Sequence, residues 1–104
     1  MKILVVNDRL LPQILTQFPE QYLISKVKTP VLKYRYLIND LTIEITVRNV
    51  LNDQCLRGHS YDLIYSTPDD FFYNSKHLMP MYIINPNLEV RLMLETDNVY
   101  SLLL

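Results

Sequence analysis

Leu56-Arg57-Gly58-His59-Ser60-Tyr61-Asp62-Leu63-Ile64-Tyr65-Ser66-Thr67-Pro68-Asp69-Asp70 joins the chain's one glycine to a short apolar run and a strong helix start. Tyr61 to Tyr65 is brief and apolar at nearly every position, the pattern of a strand buried on both faces. Ser66 or Thr67 can cap a following helix. Pro68 suits the first helical position, and Asp69 and Asp70 favour the positive end of the helix. Strands alternating with short helices imply crossover connections and a sheet that is at least partly parallel.

The same grammar extends outward. Lys2 to Val6 is a second continuous apolar run and reads as another buried strand. Asn7-Asp8 closes it and can cap the next helix. Leu11, Ile14, Leu15 and Phe18 recur at helical spacing, so residues 9–18 read as one amphipathic helix with Pro12 in its first turn and Pro19 as its stop. Tyr22-Leu23-Ile24 and Val27 suit a short strand before Thr29-Pro30.

The clearest local signal is a hairpin. Lys33-Tyr34-Arg35-Tyr36-Leu37-Ile38 alternates, Asn39-Asp40 supplies a two-residue turn, and Leu41-Thr42-Ile43-Glu44-Ile45-Thr46-Val47 alternates again. That turn pairs Ile38 with Leu41, Tyr36 with Ile43 and Tyr34 with Ile45 on one face. Thr42, Glu44 and Thr46 are then directed to solvent or a polar partner. Residues 48–60 form a polar connection. The helix from Pro68 is expected to reach Leu78 or Met79 and break near Pro80. Asn85-Pro86-Asn87 reads as a turn, Leu88 to Leu94 as a strand, and Val99 to Leu104 as an apolar tail that docks as a short strand or helix. The expectation is a single small α/β domain spanning residues 1–104, with a mixed sheet of about five strands, a β-hairpin and two main helices.

Composition bounds the function. Among 104 residues, 49% are hydrophobic and 20% charged, which belongs to a folded domain and not to a disordered tail. A formal net charge of −1 supplies no global attraction to nucleic acid, although a local basic face is compatible with it. Cys55 is the one cysteine, so no intramolecular disulfide forms and a reducing compartment is expected. No apolar run approaches the roughly 20 residues of a membrane helix. No signal peptide is evident. The expected setting is soluble and cytoplasmic, or the host cytoplasm if the chain is viral.

From Leu56 onward the chain resembles the second half of the P-loop ATPase core of phage terminase large subunits and related helicases. Leu56-Arg57-Gly58, Tyr61-Asp62-Leu63-Ile64-Tyr65, the helix from Pro68, Asn85-Pro86-Asn87 and the strand Leu88-Glu89-Val90-Arg91-Leu92-Met93-Leu94 match that family's order over roughly forty residues. The hairpin and Met1–Phe18 fit the same core loosely. The resemblance implies a P-loop-core-like fragment without its chemistry. The glycine-rich phosphate loop with its lysine is missing, and the acidic magnesium-holding pair falls on Thr67-Pro68. It also suggests a phage source.

Each candidate constellation has a structural reading beside the chemical one. Asp69 and Asp70, with Asp62, invite a metal; the two residues also suit a helix N-terminus. Cys55, His59 and His77 match no zinc spacing, and no cofactor site is expected. Lys26, Lys28, Lys33, Arg35, Arg48 and Arg57, interleaved with Tyr22, Tyr34 and Tyr36, are candidate nucleic-acid contacts, with Lys33, Arg35, Arg48 and Arg57 foremost. Alternation, however, puts Tyr34 and Tyr36 opposite Lys33 and Arg35. Tyr100, Leu102, Leu103 and Leu104 are candidate partner or self-association contacts, and the hairpin is a candidate pairing edge.

The expected function is therefore a non-catalytic interaction protein, a small phage-encoded accessory or inhibitor that binds a host or phage protein. The alternative is a nucleic-acid-binding module derived from a terminase-like core without ATPase activity. A metal-dependent hydrolase using Asp62, Asp69 or His59 is the third reading.

Overall fold

The computed structural model describes residues 1–18, 20–28, 31–49, 51 and 59–94. Its elements are β1 (Lys2–Val6), a 3-10 turn (Asp8–Leu10), α1 (Leu11–Leu15), β2 (Gln21–Val27), β3 (Leu32–Ile38), β4 (Leu41–Arg48), β5 (Leu63–Ser66), α2 (Pro68–Tyr73), α3 (Ser75–Ile84) and β6 (Glu89–Leu92). The strands form one sheet in the order β2-β3-β4-β1-β5-β6. This is a small α/β fold whose described residues form a six-stranded mixed sheet, the short strand expected around Tyr22–Val27 being β2.

β1 lies between β4 and β5 and runs parallel to both, with Leu4 in register with Thr46 on one side and Ile64 on the other. β6 adds parallel to β5, while β2, β3 and β4 form an antiparallel meander. The strands β1, β5 and β6 are thus mutually parallel, as strand–helix–strand crossovers produce.

Two apolar layers sandwich the sheet, and strand alternation assigns each residue to one of them. Ile3, Val5, Ile43, Ile45, Val47, Leu63 and Tyr65 join Leu10, Leu11 and Ile14 on the α1 side. Leu4, Val6 and Ile64 join Leu78, Met81, Leu88, Tyr61 and Leu51 on the α3 side. Ile3, Leu4, Val5 and Val6 are each 0% exposed, which explains why β1 is apolar at consecutive positions. Thr46, expected to face solvent or a polar partner, is instead buried. It points to the face opposite Ile45 and Val47, as alternation requires, beside Leu4 of the neighbouring β1, which is buried on the same side of the sheet.

The hairpin has the expected register, pairing Tyr34 with Ile45, Tyr36 with Ile43 and Ile38 with Leu41. Asn39 and Asp40 adopt φ of 51° and 63°, the two positive values that a twist-matched two-residue turn demands. Tyr34 and Tyr36 stack with ring centroids 6.0 Å apart. Burial, reinforced by the neighbouring Tyr34, pushes the Tyr36 phenol above its ordinary range.

Helix limits differ from the expectation. The first helical segment starts as a 3-10 turn at Asp8 and its α part stops at Leu15, not Phe18. Gln21 Nε2 donates to the carbonyls of Leu15 and Phe18 at 3.0 and 3.2 Å, satisfying groups that a longer helix would have paired. In the second segment the interruption falls at Asn74, whose φ of −101° and ψ of 8° leave the helical basin. Asn74 is buried, and its Nδ2 donates to the Asp70 carbonyl at 2.9 Å. Helix then resumes and runs through Pro80 to Ile84. The Pro80 ring faces outward, while Leu78 and Met81 on the opposite side are almost fully buried. Anchoring those two side chains offsets the roughly 3 kcal/mol that an interior proline costs. β5 is shifted, starting at Leu63 and ending at Ser66 against the expected Tyr61–Tyr65, and β6 is trimmed to Glu89–Leu92 from Leu88–Leu94.

Pro80→Ala is expected to stabilise the domain by about 2 kcal/mol in urea denaturation, because a helical hydrogen bond is regained at an exposed position. A helix that ended at Met79 would give no gain. The raised Tyr36 pKa predicts full stability below the unfolded tyrosine value near pH 10, and a fall as pH rises from there through the folded value. Denaturation measured from pH 9 to 11 should show a shallower fall for Tyr36→Phe.

Candidate interaction surfaces

The corner between β5 and α2 meets the carboxyl end of β1. β1 departs through α1 on one face of the sheet, and β5 departs through α2 and α3 on the other, so the connections diverge between these two strands. Ligands of open α/β sheets bind outside such a divergence. Here its polar side chains bond to one another. Thr67 caps α2, accepting from the Asp70 backbone N–H at 3.2 Å, and its hydroxyl donates to Asp70 Oδ2 at 3.0 Å. Asn7 Nδ2 donates to the same carboxylate oxygen at 3.4 Å, while Asn7 Oδ1 accepts from Arg9 N and Nε at 3.0 and 3.3 Å. Asp8 N donates to Asn49 Oδ1, and Asn7 N to the Arg48 carbonyl.

These bonds tie the ends of β4, β1 and β5 together beneath a shallow depression of about 350 Å³ lined by Asn7, Asp8, Arg9, Asn49 and Asp70. Asp69 stands beside Arg9, Thr67 and Leu94 in a neighbouring depression. Asp70 thus serves the helix cap and the strand junction. Among the described residues no three His, Cys, Asp or Glu side chains are grouped so as to hold a metal ion.

Asp62 belongs to a different place. It sits before β5, at the end of the strand opposite Asp69 and Asp70. Four strand residues separate the two ends by roughly 13 Å, too far for a shared ion. Its Oδ2 accepts from Lys2 N at 2.8 Å, and its own N donates to the Lys2 carbonyl at 2.8 Å. Asp62 therefore fastens the start of β1 to the start of β5. His59 lies against Tyr61 with ring centroids 6.4 Å apart, and His77 is in α3. Cys55 and Arg57 lie outside the described residues.

Lys33 and Arg35 share a sheet face and one counter-charge, whereas Lys26 lies on the other face with its Nζ 5.4 Å from the Tyr34 ring centroid. Lys33 Nζ approaches Glu44 Oε1 at 3.3 Å, and Arg35 Nη2 approaches Glu44 Oε2 at 3.7 Å. Arg35 and Glu44 are in direct register. With two cations on one carboxylate, the local sum is +1, a small footprint for gripping a phosphate backbone. Tyr34 and Tyr36 point to the other face, Tyr36 buried and Tyr34 half-buried, so neither offers a stacking platform beside Lys33 and Arg35. Arg48 ends β4, its Nε buried and without a hydrogen-bond partner among the described residues.

Apolar side chains make the larger exposed features. In α3, Met79, Pro80, Ile83 and Ile84 fall on the side opposite Leu78 and Met81. Met79 and Ile83 are 64% and 83% exposed. Phe72 and Tyr73, at the end of α2, are similarly exposed. This helix is apolar nearly all round, the composition of one covered on two sides. The sequence signal is the run from Met79 to Ile84, hidden because Pro80 reads as a stop. A second exposed set, Tyr22, Leu23, Ile24 and Val27, belongs to β2. The tail candidates Tyr100, Leu102, Leu103 and Leu104 lie outside the described residues, as does Val99. No described helix is long and apolar enough to cross a membrane.

No family model, curated protein or solved structure matches this chain.

Asn7 provides a test of the corner. Its φ of 99° and ψ of 114° lie where a Cβ is disfavoured. Both Asn7→Gly and Asn7→Ala remove the side-chain bonds, but only glycine relieves the backbone. Chemical denaturation should find the alanine variant less stable than the glycine variant by about 1 kcal/mol. Equal losses would show that the backbone geometry carries no cost.

Proposed function

We propose that this chain is a non-catalytic interaction domain that docks a protein partner through the outward side of α3. The observation that carries the proposal is the ridge of Met79, Pro80, Ile83 and Ile84, left in water by a helix whose other side is anchored in the core. Burying a large aliphatic side chain is favourable by about 1.5–3 kcal/mol, so covering several of them gives a partner a substantial driving force. The hydrogen bonds that Asp70 makes with Asn7 and Thr67 at the β5–α2 corner support a scaffold role for that carboxylate. The terminase-like order of segments supports a phage-encoded accessory or inhibitor as the class of protein.

The test is affinity capture from the native cell, run in parallel with wild type, Met79→Lys/Ile83→Lys and Lys33→Glu/Arg35→Glu. A protein partner should be held by wild type and by the Lys33/Arg35 variant, and should weaken about tenfold or more with the α3 variant when remeasured with purified components. Binding that survives the α3 changes would contradict the proposal. Nucleic acid recovered instead, and lost with Lys33→Glu/Arg35→Glu, would favour the DNA- or RNA-binding alternative.

A further inference from the structure

The two edges of the sheet are not alike. β6 is four residues long and carries Glu89 and Arg91, joined through Arg91 Nε and Glu89 Oε1 at 3.0 Å. Short, charged edges discourage pairing with other chains. β2, at the opposite edge, is seven residues long, with six exposed and one half-buried. It contains no proline, and its exposed positions include Tyr22, Leu23, Ile24 and Val27. Among the described residues no strand pairs with its outer edge, and its exposed apolar side chains lie on both faces.

Its own sequence specifies what fits there. Glu20 stands immediately before the strand, and Lys26 and Lys28 mark its end. Antiparallel pairing of β2 with a second β2 brings the acidic end of each copy to the basic end of the other. Parallel pairing would align like charges. The register with β3 slips at Ile24, so Tyr22, Ser25 and Val27 share one face while Gln21, Leu23 and Lys26 share the other. An antiparallel pairing that keeps these faces matched sets Tyr22 opposite Val27, and Leu23 opposite the methylene stem of Lys26, each occurring twice about a two-fold axis.

We propose that β2 pairs antiparallel with β2 of a second copy of this chain, joining two six-stranded sheets into one continuous sheet. The contact is separate from the α3 ridge, so a partner bound at α3 and a second copy bound at β2 need not compete for surface.

Sedimentation equilibrium from about 1 to 200 µM tests this, a range that brackets a weak homodimer. Wild type should dimerise, and Tyr22→Glu/Leu23→Lys should raise the dissociation constant about tenfold or more while circular dichroism stays unchanged. Glu20→Lys should weaken the dimer, and adding Lys26→Glu and Lys28→Glu should restore it, because reversing both ends recreates the complementarity. A monomer throughout the concentration range would overturn the proposal. So would a dimer indifferent to the Tyr22/Leu23 changes, one not restored by reversal of both ends, or one abolished by Met79→Lys/Ile83→Lys instead.

Discussion

The burial of β1 on both faces and along both edges is the constraint around which this domain is organised. Ile3, Leu4, Val5 and Val6 have no access to solvent, and their backbone groups are taken up by β4 on one side and β5 on the other. A strand in that position must be apolar at successive residues, must be parallel to neighbours reached through helical crossovers, and must have a helix over each face. α1 and α3 meet that last requirement. Ile14 packs on the layer of Ile3 and Val5, and Leu78 and Met81 pack on the layer of Leu4 and Val6.

The polar residues at the ends of β1 are explained by the same constraint. At its amino end, Asp62 exchanges two backbone-linked hydrogen bonds with Lys2 and fixes the β1–β5 register. At its carboxyl end, Asn7 accepts an unfavourable φ so that one side chain can reach Arg9 and Asp70 together. Tyr65 adds a third fastening. Its hydroxyl donates to Gln17 Oε1 and accepts from Arg91 Nη1, linking the turn after α1 to β6 across β5. Asp62 and Asp70, which suggest chemistry when seen as letters, both hold strand ends together.

How much of the fold is legible in the sequence depends on whether a local rule is decisive. In the hairpin it is, because a two-residue turn at Asn39-Asp40 fixes every cross-strand pair, and the alternation places Glu44 between Lys33 and Arg35. In β1 and β5 it is, because few structures besides a doubly covered strand need such short unbroken apolar runs. Pro80 misleads, because the rule that proline stops a helix is local while the anchoring of Leu78 and Met81 is tertiary. That error conceals the exposed ridge of α3. Thr46 and Asn7 are illegible for a related reason, since burial and a positive φ are both imposed by distant segments. No residue pattern announces that β2 ends the described sheet with its side chains exposed on both faces.

A domain built on one central strand should lose its parts in a definite order. The edges and the outer turns of α2 and α3 can open locally, whereas exposing β1 requires both layers to separate. Native-state hydrogen exchange, followed amide by amide, measures this directly. The Leu4, Val5 and Val6 amides are predicted to exchange only through global unfolding, together with their neighbours in β4 and β5, while amides of β2 and β6 exchange through smaller openings. Exchange in β1 as fast as in β2 would contradict the account, because the strand proposed to hold the domain together would then be no more secure than its edge.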